Sequence, residues 1–411
     1  MSDKINRVIK TVYKSFVPNE KDHKRVAKTA EGIKTFILRK AKESNIQVSV
    51  DFAGSYAKNT WIKNESDVDI FVSFNSEKAT LALSKLVPKG FSPERGTRTY
   101  FRGKVGGIEI EIVPLVKLKD LRNTENSIDL SILHADYIKT KLNKNLRTDV
   151  IMLKQFCKVN GCYGSETYRH GFSGYSLELL IIKYGGLRSL FNSVTTWMPG
   201  VYIDIENAYK DEAAALEVFG AHESPILLVD PTNPKRNVCG SLNVQNFSGF
   251  VFSVKKFLIS PSREFFIKKD EETALINLSK SRGTRLFRYK TEIAGPKDRF
   301  LSKYNKNLLK LLRTLDETGI SIYDYKPLYR ENSVQLFLQI ENVPKTKTRK
   351  VFGPNVWLDF KHFKAFLKAH KDAYVVGEFV VYDKEYKVGN FNGFIRDKFK
   401  EFISTKAIIK N

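Results

Sequence analysis

Cysteine, histidine, methionine and tryptophan are all scarce in these 411 residues, at 3, 6, 3 and 3. Cys157, Cys162 and Cys239 are odd in number and lack Cys-x-x-Cys spacing, which excludes a disulfide framework and a zinc knuckle. The histidines are scattered and never form a paired ligand motif, so any metal is expected on oxygen ligands, which favours Mg²⁺. No run of about 18 apolar residues occurs, and the opening MSDKINRVIK lacks the apolar stretch of a secretion signal. A soluble, cytoplasmic protein with no membrane partner is expected. Acidic residues are also short, with 45 Asp and Glu against 69 Lys and Arg, a net charge of +24. That excess calls for an acidic polymer as partner, and without an amphipathic anchor nucleic acid is favoured over an anionic membrane.

What is present is enough to fold. Hydrophobic residues make up 42% and aromatics 12%, which argues against global disorder, and the length allows two to three domains. Residues 18 to 43 place Val26, Ala30, Ile33, Ile37 and Ala41 at helical spacing behind Pro18, predicting one long amphipathic helix. A strand at 48–52, a turn at Gly54-Ser55, a short helical stretch through Trp61 and a strand at 67–72 follow. Segments 99–104 and 108–116 read as two strands joined at Gly106-Gly107, giving a mixed sheet of four or five strands that closes near residue 140. From Thr148 to Tyr184 the pattern turns helical around a Gly-rich interruption. Beyond Pro225 a loop dense in Pro, Asn and Arg is expected, then a helix at 246–259, a helix at 303–315, a strand at 334–340, and a basic loop at KTKTRK, residues 345–350.

The strongest chemical signal is Gly54-Ser55 followed by Asp67-x-Asp69 on a strand. Alternation puts both aspartates on one face, about 6.6 to 6.8 Å apart along the chain, where they repel unless a cation lies between them. The Gly-Ser turn offers N–H groups and a hydroxyl to a phosphate. In Ile108-Glu109-Ile110-Glu111-Ile112 the isoleucines face the core and both glutamates face away, so either can complete a carboxylate triad. Phosphoryl transfer assisted by two metal ions needs two or three such carboxylates.

The stretch GSYAKNTWIKNESDVDIFVSF resembles the head-domain signature of the class I, archaeal-type CCA-adding enzymes (tRNA nucleotidyltransferases), in the polymerase β-like nucleotidyltransferase superfamily. IEIEIVPLVKL, SILHADYIKTKL, LKQFCKVNGCYGSETYRHGFSGYSLELLIIKYG, VDPTNPKRNV with FSGFV near residue 250, and FGPNVW at 352–357 are similar to that family in the same order. The G-S plus D-x-D element alone identifies only the superfamily; the ordered set is more specific. The resemblance implies a multidomain α+β chain with a catalytic head at 1–143, a helical neck carrying the nucleotide pocket at 144–258, and an α/β body and tail binding tRNA at 259–411. The implied activity is template-independent addition of C, C and A to the tRNA 3′ end from CTP and ATP, releasing pyrophosphate. A poly(A) polymerase or oligoadenylate-type synthase shares the head signature, and a catalytically silent RNA-binding protein is the rival of another class. A homodimer is left open.

By resemblance, Asp67, Asp69 and Glu111 are the catalytic metal ligands, with Mg²⁺ the cofactor. The family commonly has Glu at the first position and Asp at the third, so Glu109 stays open as an alternative third ligand. Gly54, Ser55 and Lys58 match nucleotide-phosphate positions, Lys58 standing where the family usually has Arg. Ser131, where the family tends to have Thr, and His134, Lys154 and Tyr163 match further triphosphate and ribose contacts. Arg236 matches the arginine that presents donors to the Watson–Crick edge of the incoming base. Basic and aromatic residues interleave from Arg282 to Tyr289 and again near Lys345 to Lys350, a composition suited to duplex RNA.

Overall fold

Alternation and helical periodicity fix most elements of the chain, and the computed structural model places them in two compact units, Met1–Lys269 and Asp270–Asn411. The structure describes residues 2–65, 67–95, 98–117, 131–220, 223–267, 270–318, 320–341, 346–357, 360–387, 391–403 and 408–409.

The first unit opens with α1 (Ser2–Phe16) and α2 (Glu20–Glu43). Asn19 starts α2 with a reciprocal capping box, accepting from the Asp22 N–H while Asp22 accepts from the Asn19 N–H. Val26, Ala30, Ile33, Ile37 and Ala41 form its buried stripe. Then come β1 (Ser49–Ala53), α3 (Gly54–Lys58), β2 (Asp67–Phe74), a 3₁₀ segment at Lys78–Lys85, β3 (Ser92–Arg95), β4 (Thr99–Val105) and β5 (Ile108–Val116). The sheet order is β1-β2-β5-β4-β3, antiparallel except for the parallel pair β2–β5. It is therefore a mixed five-stranded sheet, and α2 shares its core with Val68, Ile70, Val72, Ile108, Ile110 and Ile112.

A second core in the same unit is mostly helical. It gathers α4 (Ser131–Lys141), α5 (Lys144–Val159), α6 (Gly174–Tyr184), α7 (Leu187–Val194), β6 (Val201–Ile203), α8 (Glu212–Phe219), β7 (Ile226–Asp230), β8 (Asn233–Asn237) and α9 (Val244–Ile259). Phe156 is at its centre, with ring centroids 4.9 Å from Phe191, 5.6 Å from Phe266 and 6.0 Å from Phe257. The N-terminal helix α1 belongs to this core and not to the sheet, through Ile5 and Val12.

Two expected loops are strands. The segment after Pro225 is the hairpin β7–β8, because the apolar run Ile226-Leu227-Leu228-Val229 is buried throughout and pairs with the Asn-Pro-Lys-Arg-Asn segment. The second unit contains α10 (Glu271–Arg282), β9 (Arg285–Glu292), α11 (Lys297–Glu317), β10 (Ile322–Tyr329), β11 (Ser333–Ile340), β12 (Thr346–Asn355), α12 (Phe360–Ala369), β13 (Tyr374–Val376), β14 (Phe379–Lys387), α13 (Phe391–Phe402) and β15 (Ile408–Ile409). Most of KTKTRK thus lies in β12, whose backbone pairs with β14 from Thr346 onward; Lys345 is outside the described residues. Thr346, Thr348 and Val351 favour extended backbone, and pairing with β14 outweighs the opposing lysines. The two antiparallel sheets of this unit run β10-β11-β9-β15 and β12-β14-β13. Among the described residues no helix is long and apolar enough to cross a membrane.

Truncating the aromatic centre tests the second core. Phe156→Ala should cost about 3–5 kcal/mol, lowering the unfolding temperature of the first unit by on the order of 10 °C in scanning calorimetry. An unmoved transition would show that this core does not hold the unit together.

Candidate active site

The parallel register of β2 and β5 puts Asp67 beside Glu109 and Asp69 beside Glu111, while β1 brings Ala53 opposite Asp69. Their even-numbered neighbours Val68, Ile70, Ile110 and Ile112 are buried on the other face, so all four carboxylates share one side. Gly54 has φ +59°, and a Cβ there would lie 1.6 Å from Asp69 Oδ2. The carboxylate therefore packs directly on glycine backbone, a contact only glycine allows.

Burial, then Glu111, then Asp67 push the Asp69 carboxyl up to about 7. Asp67 is raised as well, by burial and then by Glu111 ahead of Glu109. The glutamates have partners on β4: Arg102 Nε donates to Glu111 at 2.9 Å, and Lys104 Nζ lies 3.4 Å from Glu109. Among the described residues no three His, Cys, Asp or Glu side chains are arranged to enclose a metal ion, and Glu111 is engaged by Arg102. The aspartates keep an excess of negative charge that a hard divalent cation would relieve, and all-oxygen ligation suits that class of ion. The donor chemistry of Asp67 and Asp69 fits such a cation, and Glu111, paired with Arg102, stands beside Asp69.

Next to this face is a buried ion cluster centred on Glu178, which is fully buried on α6. Lys58 of α3 donates to Glu178 Oε2 at 2.6 Å, while Lys154 of α5 and the Thr60 hydroxyl donate to Oε1 at 2.8 and 2.7 Å. Lys154 also donates to the Thr60 hydroxyl oxygen and carbonyl at 3.0 and 3.2 Å. Burial alone would raise the Glu178 pKa; Lys154 and then Lys58 pull it down to about 2. Burial lowers Lys154 to about 8 against the pull of Glu178. Tyr163 and Lys154 both approach Gly174, where a Cβ would meet the tyrosine hydroxyl at 3.3 Å. The Lys158 ammonium lies 5.1 Å from the Tyr163 ring centroid.

A second buried carboxylate, Asp230, gathers His134 and Arg236. Its Oδ2 lies 3.0 Å from His134 Nε2 and accepts from Arg236 Nη1 at 2.7 Å. Burial opposes ionisation, yet the His134, Thr232 and Arg236 contacts hold Asp230 well below the usual carboxylate range. Tyr175 bridges the two clusters: its hydroxyl donates to Asp230 Oδ1 at 3.1 Å, its ring stacks on His134 at 4.1 Å, and the Lys58 ammonium lies 5.8 Å from it. Ser55 lies half-buried on α3 and Ser131 half-buried at the start of α4.

The structure thus brings Lys58 together with Lys154, and His134 with Arg236, in one unit that also holds the carboxylate row. Sequence reasoning missed the acidic partners, Glu178 and Asp230, and also Tyr175 and Arg102. A signal existed for both acids. Glu178 interrupts the apolar run Ser-Leu-Glu-Leu-Leu-Ile-Ile, and Asp230 ends Ile-Leu-Leu-Val-Asp; an acid inside such a run needs a buried cation.

The fold and the carboxylate row define the class, a polymerase β-like nucleotidyltransferase. Residues 31–145 match the family model described as "Nucleotidyltransferase domain", and residues 148–267 match "tRNA nucleotidyltransferase, second domain". A Cid1 poly(U) polymerase structure aligns with TM-score 0.51 at 15% identity, over 66% of this chain and all of that one, a likeness of fold. The CCA-adding enzyme of Methanoregula boonei is 30% identical over 74% of this chain and 67% of its own length. Those of Methanothermobacter thermautotrophicus and Nanoarchaeum equitans are 28% and 29% identical, over 94% and 90% of this chain and 87% and 94% of their own. The chain belongs to the CCA-adding enzyme family.

Removing Glu178 would leave two buried ammoniums without their shared anion. Glu178→Ala is expected to cost about 3–5 kcal/mol, read as a lowered unfolding temperature. The carboxyl is held near 2, below its ordinary 4.5, so its stabilisation is complete above pH 4.5 and fades as pH falls toward 2. The gap between wild type and Glu178→Gln should shrink over that window. A gap independent of pH would mean that the charge of Glu178 does not matter.

Proposed function

We propose that this protein adds C, C and A to the 3′ end of tRNA from CTP and ATP, without a nucleic-acid template, releasing pyrophosphate. The observation that carries the reading is the Asp67, Asp69 and Glu111 row beside the Lys58–Lys154 cluster, in a chain related to CCA-adding enzymes over nearly its full length. The terminal 3′-hydroxyl attacks the α-phosphate in line as pyrophosphate departs. A divalent cation, for which we propose Mg²⁺, would be held by Asp67, Asp69 and Glu111, and when bound supplies positive charge to the reacting oxygens.

The chain's own residues do the rest. Gly54 backs Asp69 so that its carboxylate cannot retreat, and Ser55 follows at the start of α3. Lys58 and Lys154 supply positive charge beside the triphosphate from positions fixed by Glu178, Lys154 acting through its charge because its three donors are engaged by Glu178 and Thr60. Arg236 faces the base edge, with His134 and Tyr163 on the ribose and phosphate side. Of the two glutamates we assign Glu111 as third ligand, because the strand register sets it beside Asp69, the aspartate that packs on Gly54. The positive excess holds the tRNA, chiefly on body and tail. We place the protein in the cytoplasm, a reading supported by three free, buried thiols.

Incubation with tRNA lacking CCA, Mg²⁺ and each NTP in turn, read by product length, tests the activity. Two additions with CTP and a third with ATP are expected. A long A tail would mark a poly(A) polymerase, and binding without extension a silent RNA-binding protein. Asp67→Ala and Asp69→Ala should abolish addition while sparing tRNA affinity, and Glu111→Ala should be more damaging than Glu109→Ala; equal mild losses would remove both glutamates from the ligand set. The affinity itself should fall with salt, each neutralised phosphate contributing about 0.7 to 0.9 to the slope of log K against log salt. A flat response in a KCl titration would make the charge incidental.

A further inference from the structure

We infer that Asp230 is a specificity-positioning residue, which sets the orientation of the base-reading Arg236 without itself touching the nucleotide; the inference rests on the nucleotide-adding function proposed above. The carboxylate has no exposed surface, and five donors converge on it. Oδ1 accepts the Thr232 N–H at 2.9 Å, the Thr232 hydroxyl at 2.8 Å and the Tyr175 hydroxyl at 3.1 Å. Oδ2 takes Arg236 Nη1 at 2.7 Å and His134 Nε2 at 3.0 Å. The saturated acid has nothing left to offer a substrate.

The division between the two oxygens matters. Oδ1 ties the carboxylate to its own strand end and to α6, while Oδ2 faces outward to two side chains that match nucleotide-contact positions. Arg236 sits on β8 with 34% of its side chain exposed, and among the described residues its guanidinium donates to no group other than Asp230. A long flexible side chain held at one Nη has its guanidinium anchored at a fixed point, which narrows the orientations its remaining N–H groups can present to a base edge. The same oxygen fixes His134, so the arginine and the histidine cannot move independently.

Asparagine at 230 tests this with little change of shape. The Thr232 backbone N–H is a fixed donor and keeps the amide oxygen on the Oδ1 side, so the amide NH₂ faces Arg236 donor against donor, whereas neutral His134 can change tautomer and accept from it at Nε2. Asp230→Asn should therefore reduce discrimination between CTP and UTP in kcat/KM at least tenfold on tRNA lacking its CCA end. It should do the same between ATP and GTP on tRNA ending in CC. In an Arg236→Ala background, Asp230→Asn should leave the four NTP ratios where Arg236→Ala put them. A merely structural role would lower all four NTPs in proportion, and an independent contact would change the ratios additively; either result overturns the inference. If Asp230→Asn fails to fold, Tyr175→Phe removes one of the five donors and should shift the ratios in the same direction by a smaller factor, and unchanged ratios there overturn it equally. A wild type that adds no CCA defeats the functional reading, whereas a selective wild type with an equally selective Asp230→Asn defeats only this one.

Discussion

Glu178 is a carboxylate without solvent, reached by one ammonium from the sheet-bearing part of the first unit and by another from the helical part. Leaving any one of these three charges unpaired in the interior would cost several kcal/mol, so α3, α5 and α6 are held in one mutual arrangement. The consequences spread outward. Lys58 cannot swing away, and from where it is held it also lowers the charge stress on Asp69 and lies over Tyr175. Tyr175 in turn reaches Asp230, and Asp230 reaches Arg236. A single buried charge requirement thus links Lys58 and Lys154 to Arg236.

The acidic groups of this unit divide into two environments. Glu178 and Asp230 are over-supplied with donors and stay ionised, whereas Asp69 is under-supplied and is pushed up to about 7. The first kind fixes other side chains. The second kind stores electrostatic stress, which a proton or a bound cation relieves. Parallel pairing of β2 with β5 creates that stress by setting carboxylates side by side on one face, and Gly54 prevents its relaxation. The contrast between saturated and unsaturated acids separates positioning residues from candidate ligands on physical grounds alone.

Much of this was legible before any coordinates. The stripe from Val26 to Ala41 and the alternation in β2 and β5 follow from local periodicity, and the carboxylate face follows from alternation; Gly54-Ser55, expected as a turn ahead of a helix through Trp61, instead opens α3, which ends at Lys58. What escaped was either masked by composition or non-local. The spacing Ile5, Val8, Ile9, Val12 in α1 is helical, but so narrow an apolar stripe among lysines does not show which core it joins. The Pro and Asn of β8, and the lysines of β12, hide strands that exist because a neighbouring strand pairs with them. Lys58 and Glu178 are 120 residues apart, and His134 and Asp230 are 96 apart. Periodicity within a helix or strand carries no information at that range, although an acid inside an apolar run announces that some distant cation must exist.

The pairing also revises what the net charge of +24 can do. Counted singly, Lys58, Lys154 and Arg236 are three positive charges. Counted with Glu178 and Asp230, they leave only about one elementary charge. Attraction for a polyanion must therefore come from surface Lys and Arg away from this cluster, where it is long-ranged and screened by salt. Inside the cluster the cations are poised by buried partners, so they contribute direction more than raw attraction. Such a division suits an enzyme that must hold one large RNA through its backbone while distinguishing small nucleotides by a few N–H groups at fixed angles. Selectivity should then resist salt even where RNA affinity does not, because buried ion pairs are screened far less than surface charge.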